Sequence, residues 1–242
     1  MKNLLIYVNP RKDWDEENKK LIKLQIDNSF ELGWKKEDIL LFTNFPYEYE
    51  GIVSTEVPDE LFCDYFHQMS KINTILWMFE NNLIGDDVYW FHDMEALQNY
   101  PINFELSKDL AFTDYGYCPK FNTGSLFFRK EARDVLELIK KESDLRRGGE
   151  ERALTYLTQR NAENINDRYE VINITYNFPG SVNADRNFKM LYEKADKPIM
   201  VVHFHPDNYR GKFLRTMIGD NDLHVSVMTN RLTKLFRKYG WE

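Results

Sequence analysis

The sequence is poor in cysteine, with only Cys63 and Cys118 among 242 residues. Two cysteines give no disulfide framework and no CxxC metal pair, so two ordinary thiols in a reducing cytoplasm are expected. Long hydrophobic runs are also missing, which excludes a membrane-spanning helix. The opening MKNLLIYVNP is broken at Asn9-Pro10, too early for a secretory leader, and reads as a first strand. Positive charge is in short supply as well. The formal net charge of -7 argues against general polyanion binding. Basic residues cluster locally at Lys140, Lys141, Arg146, Arg147 and Arg152, and again at Arg231, Lys234, Arg237 and Lys238. These clusters read as solvated helix faces. No internal repeat, linker, GxGxxG or GxxxxGK[ST] occurs, so neither a dinucleotide fingerprint nor a P-loop supports a phosphate site.

Apolar residues make up 43% and aromatics 15%, enough for a sizeable core. Strand-like and helix-like stretches alternate, which predicts an α/β fold. Strands are expected at NLLIYV, DILLFT, the run from Asp87 to Phe91, KDLAFTDYG, TGSLFFR, YEVINI and PIMVVHFH. A helix should follow the first strand, with Leu21, Leu24, Gln25 and Asn28 at helical spacing and Gly33 at its end. Others are expected from Pro58, from Ser70 as N-cap to Gly85, over KEARDVLELIKKES and GEERALTYLTQR, and from Asp222 to Gly240.

Chemistry concentrates in DDVYWFHDMEALQ, Asp86–Gln98, where an apolar run ends in His92, Asp93 and Glu95. In open α/β sheets ligands sit beyond the carboxyl ends of the strands. In extended backbone Asp93 and Glu95 would share a side, with Met94 turned the other way. Two converging carboxylates repel unless a cation lies between them, and hard oxygen ligands suit Mg²⁺ or Mn²⁺. The bland alternative is a solvated pair capping the next turn.

FHDME together with FNTGSLFFRK, Phe121–Lys130, resembles the GT-A nucleotide-sugar glycosyltransferases, in particular the group of glycogenin and the lipooligosaccharide galactosyltransferases. The order of further pieces is similar: Glu150-Glu151 at a helix start, Tyr176-Asn177-Phe178, then His203-Phe204-His205-Pro206 with Gly211 and Lys212. Three departures stand out: DxE in place of DxD, Glu-Glu in place of Asp-Gln, and a second histidine. The resemblance implies one GT-A, Rossmann-like domain over 1–242, with a mainly parallel central sheet flanked by helices. Residues 1–120 would form the nucleotide-binding half. Residues 121–242 would form the sugar and acceptor half, closed by the C-terminal helix.

It also implies roles. Asp93, Glu95 and His203, with His205 as substitute, would ligate Mn²⁺ or Mg²⁺. Arg210 and Lys212 would pair with the diphosphate of a UDP-sugar. Asn122, Thr123 and Gly124 would line the sugar pocket. Asn9 and Pro10 would pack near the base, and Lys71 would reach the nucleotide. Glu150 or Glu151 would face the sugar or the acceptor hydroxyl, as a general base with inversion, or in a retaining reaction like that of the resembled group. The acceptor would be a glycan, a lipid-linked sugar or a hydroxylated DNA base, in the cytoplasm of a bacterium or of a virus-infected cell. A two-metal phosphodiesterase or nucleotidyltransferase needs more carboxylates than stand here, since Asp86 and Asp87 lie at the wrong end of the strand. A non-catalytic nucleotide-sugar-binding module is the remaining alternative.

Overall fold

β1 (Lys2–Tyr7) places Leu4 and Leu5 at zero exposure although they point to opposite faces. Both faces of a strand are buried only inside a sheet covered by helices on each side. The computed structural model describes residues 1–116, 120–180, 185–204 and 227–241. Its elements run β1, α1 (Glu16–Glu31), β2 (Ile39–Thr43), β3 (Glu48–Tyr49), β4 (Ile52–Val53), β5 (Thr55–Glu56), α2 (Met69–Glu80), β6 (Tyr89–His92) and β7 (Ala96–Gln98). Then follow β8 (Leu110–Asp114), β9 (Phe121–Phe128), α3 (Arg133–Arg146), α4 (Glu150–Arg160), β10 (Tyr169–Ile172), β11 (Phe178–Pro179), α5 (Asp185–Lys194), β12 (Val201–His203) and α6 (Asn230–Lys238).

Seven strands form the main sheet in the order β10-β8-β9-β6-β1-β2-β5. Only β9 runs against its neighbours. The carboxyl ends of β1, β6 and β8 therefore share one edge with the start of β9. A second sheet, β11-β12-β7, is built from strands far apart in sequence. On one face of the main sheet, α2, α3 and α4 lay Ile72, Ile75, Leu136, Ile139 and Leu154 against Leu4, Phe91, Phe112 and Phe128. On the other, α1 covers Leu5 and Leu41 with Leu21, Ile22 and Ile26. Truncating a buried Phe such as Phe128 to Ala would cost about 3–5 kcal/mol. Among the described residues, no helix is long and apolar enough to cross a membrane.

Several expected boundaries move. The segment after Pro58 makes only a 3₁₀ turn, Asp59–Leu61, and α2 begins at Met69. Ser70 is not its N-cap: the carbonyls of Phe66 and His67 take the first amides, and Ser70 Oγ accepts from Cys63 N at 2.9 Å. The helix stops at Glu80 rather than Gly85, where Asn82 adopts a left-handed φ of 57°. The expected TGSLFFR strand begins two residues earlier, at Phe121, and β9 is buried throughout. The C-terminal helix starts at Asn230, its first turn capped by Thr229 Oγ1, while its expected beginning at Asp222 lies outside the described residues.

Candidate active site

The acids after β6 are brought together by a tight turn, not by extended backbone. β6 ends at His92, and Ala96 N donates to Asp93 O at 2.9 Å as the chain passes into β7 of the second sheet. Met94 is buried in the α1 cluster and anchors the turn from below. Gln25, itself buried on α1, donates to Met94 O at 2.8 Å and Ala96 O at 2.9 Å. With backbone and Met94 so held, the half-buried Asp93 and Glu95 side chains converge with His203 at the sheet edge.

The second sheet supplies the third group. β12 pairs antiparallel with β7, His203 opposite Ala96, and Phe204 N donates to Glu95 O at 3.0 Å. One potential ligand atom from each of Asp93, Glu95 and His203 lies within 4.8 Å of the others, and His203 Nε2 is 3.7 Å from Asp93 Oδ2. Two hard carboxylates and one imidazole form a donor set that fits Mn²⁺ or Mg²⁺. Gly124 makes room for this arrangement. Its carbonyl accepts from Asp93 N at 2.9 Å, and a Cβ on it would stand 2.1 Å from His203 Cε1. The close approach of the histidine ring thus requires a glycine at this position.

Beside this cluster lies a second pair of acids at the start of α4. Gly149 precedes them because Phe66 packs against its backbone, where a Cβ would stand 2.4 Å from the ring. Glu150, 2% exposed, accepts from Thr123 Oγ1 at 2.9 Å and pairs with Lys71 Nζ at 2.9 Å. Lys71, 6% exposed, also pairs with Asp93 Oδ1 at 3.4 Å and lies 5.1 Å above the Phe91 ring. Burial alone would lower the Lys71 pKa; the Asp93 and Glu150 carboxylates outweigh it and hold the ammonium above its ordinary range. Burial pushes Glu150 upward, but Lys71 and its hydrogen bonds bring it below the usual carboxylate range. Glu151, whose Oε1 accepts from Thr123 N at 3.2 Å, is pushed up to about 7 by burial and then by the Glu150 charge.

The structure therefore brings together Lys71, Asp93, Glu95, Thr123, Gly124, Glu150, Glu151 and His203. Asn122 stands beside them, its Oδ1 accepting from Gly124 N at 3.0 Å and from Asn177 Nδ2 at 2.6 Å. Asn9 and Pro10 stand past the end of β1 at the same sheet edge, with Asn9 tied by two hydrogen bonds to Asn44. His205, Arg210 and Lys212 lie outside the described residues.

Three further residues build the site although the sequence assigned them no role in it. Gln25 shares the helical spacing of Leu21 and Leu24, and a polar residue at a core position is its signal. Asn177, with zero exposure, bridges Asn122 and Thr113. His92, next to the acids in sequence, is buried, stacked on Trp90 and bonded to Asn3; burial pushes its pKa down to about 4, so it stays neutral.

No protein-family model matches the sequence, and no curated protein matches it. Solved structures do match. The galactosyltransferase LgtC, in complex with donor and acceptor sugar analogues, superposes with a TM-score of 0.58 at 12% identity, over 98% of this chain and 96% of that one. GlyE of Streptococcus pneumoniae matches all of this chain with a TM-score of 0.59 at 13% identity, and this chain spans 61% of GlyE. A glycosyltransferase involved in glycosylating the major capsid of PBCV-1 matches with a TM-score of 0.51 at 13% identity, over 84% of this chain and 93% of that one. The chain has the GT-A glycosyltransferase fold.

Proposed function

We propose that this chain is a metal-dependent glycosyltransferase that moves a sugar from a nucleoside-diphosphate sugar, a UDP-sugar, to an acceptor hydroxyl. The observation that carries the reading is the convergence of Asp93, Glu95 and His203 at the carboxyl edge of a GT-A sheet. A bound Mn²⁺ or Mg²⁺ on these three would supply Lewis-acid stabilisation of charge on the diphosphate. Lys71 adds a fixed positive charge beside them and is itself held by Glu150. Asn122, with Oδ1 already occupied, presents its amide NH₂ to a sugar hydroxyl; Thr123 and Gly124 shape the wall. Glu150 is committed to Lys71 and Thr123 and acts as a positioning residue. Glu151, near neutrality, is the group able to hold or take a proton at the acceptor hydroxyl. Asn9 and Pro10 would border the base, Arg210 and Lys212 would pair with the diphosphate, and His205 would ligate the metal if it replaced His203. The nucleotide half is 1–120 and the sugar and acceptor half 121–242, with a glycan, lipid-linked sugar or hydroxylated DNA base as acceptor.

The test is incubation with Mn²⁺ and a panel of sugar nucleotides. Slow release of free sugar and nucleoside diphosphate, abolished by EDTA, is expected. No turnover of any sugar nucleotide, or equal turnover in EDTA, would overturn the reading.

A further inference from the structure

Asn177, in the Tyr176-Asn177-Phe178 segment, has zero exposure, and its side-chain NH₂ serves two acceptors. It donates to Asn122 Oδ1 at 2.6 Å and to Thr113 Oγ1 at 3.1 Å. Its backbone is held as well: Tyr115 donates to Asn177 O at 2.8 Å, and Asn177 N donates to Ile174 O at 3.0 Å. Thr113, also at zero exposure, donates its one hydroxyl hydrogen to Asn122 O at 3.3 Å. Toward Asn177 that hydroxyl can then only accept.

The network has fixed polarity at both ends. Asn122 O is a backbone carbonyl and can only accept; Gly124 N, which donates to Asn122 Oδ1 at 3.0 Å, can only donate. Between these two groups neither amide can turn over. A reversed Asn177 would set its carbonyl oxygen 2.6 Å from Asn122 Oδ1, and a reversed Asn122 would turn its NH₂ on the Gly124 amide. A buried polar group facing its own kind loses its hydrogen bond and keeps its desolvation cost. The Asn122 NH₂ is thereby directed away from the network, and it has no protein partner among the described residues. It belongs to the face of β9 shared with Gly124, against which the His203 ring packs.

We propose that Asn177 is a positioning residue that fixes the direction of the Asn122 amide, so that the site reads a sugar substituent offering an oxygen lone pair, a hydroxyl or a carbonyl. The sugar role rests on the glycosyltransferase reading. The test compares Mn²⁺-dependent hydrolysis of UDP-glucose, UDP-galactose and UDP-N-acetylglucosamine with calorimetric binding of UDP. Asn177→Leu is similar in shape but has no hydrogen to donate, which leaves Asn122 free to turn. Losing one such buried hydrogen bond is worth about tenfold, and kcat/KM for the preferred sugar nucleotide should fall by about that factor. UDP affinity should stay at the parent value. Because Asn177 acts through Asn122, Asn177→Leu should cost nothing more in an Asn122→Ala background. Thr113→Val removes the hydroxyl at constant shape and should lose kcat/KM in the same way, and Thr113→Ser should recover most of that loss. Unchanged kcat/KM in Asn177→Leu would overturn the proposal. Equal losses in kcat/KM and UDP affinity, or losses that add to those of Asn122→Ala, would make Asn177 a structural residue only and overturn it too. Should Asn177→Leu fail to fold, the Thr113 pair decides, and Thr113→Val with the parent's kcat/KM would overturn the proposal. A parent chain that hydrolyses none of the three strikes the UDP-sugar reading and the sugar role with it; a failure confined to Asn177 leaves parent hydrolysis intact, which tells the two apart.

Discussion

Two pairs of acids meet around Lys71, and their surroundings differ. Asp93 and Glu95 are half-buried on a turn gripped by Gln25, with His203 alongside and Lys71 3.4 Å from Asp93, a donor set that a metal cation would complete in the proposed reaction. Glu150 and Glu151 are adjacent on α4, and the nearest positive charge, Lys71, pairs with Glu150. Glu150 is held ionised by that partner while Glu151 is raised to about 7. Like carboxylates are thus set apart by what surrounds each, and in the proposed function a metal falls to the first pair and a proton to Glu151.

The sharpest way to break the comparison is to remove the cation between the pairs. Lys71→Met leaves Glu150 buried without its charge partner and should cost about 3–5 kcal/mol in urea unfolding. Adding Glu150→Gln should recover most of that loss; a single variant as stable as the parent would mean Lys71 neutralises nothing. Next in size, Asp93→Asn or Glu95→Gln should lower Mn²⁺-dependent sugar-nucleotide turnover by about 10²–10³ while leaving the unfolding midpoint near the parent value. Unchanged turnover in either would detach that acid from catalysis.

The second pair predicts a pH signature. Glu151 is raised from 4.5 to about 7 in the folded chain. Between those values the folded state binds more protons than the unfolded state, so its contribution to stability falls as pH rises through that window. Glu151→Gln should therefore be more stable than the parent at pH 8 and equal to it at pH 4, while losing transfer activity. A variant less stable at pH 8 would show that the carboxylate is well accommodated. The smallest effect is expected at His203→Ala. Partners that merely orient metal ligands are worth about 10–100-fold in affinity, so loss of a ligand should weaken Mn²⁺ at least about tenfold. Ligation needs a neutral ring, so parent affinity should weaken toward acid more than that of the variant. Equal Mn²⁺ affinity in both would leave the two carboxylates as the ligands.

Much of this architecture was legible because local patterns encode it. The apolar run ending in Tyr89–Phe91 fitted a covered strand, and the acids following Gly149 marked a helix start. What was not legible depends on contacts distant in sequence. The i, i+2 spacing of Asp93 and Glu95 suggested a common side on extended backbone; the chain turns there because β7 pairs with β12, and nothing near Ala96 announces His203 as its partner. A lysine in the first turn of a helix is ordinarily solvated, and only the tertiary fold reveals that Lys71 is enclosed by Asp93, Thr123 and Glu150. Gly124 fell within the expected TGSLFFR strand, but nothing local to it announces that it faces His203.

The central claim is that Asp93, Glu95 and His203 hold a cation that in turn holds a diphosphate. Calorimetric titration of UDP into the parent chain and Asp93→Asn, each with Mn²⁺ and with EDTA, tests it most directly. The account predicts that UDP binds the parent chain with Mn²⁺, and binds far more weakly in EDTA or to the variant. Equal UDP affinity with and without Mn²⁺ would contradict it.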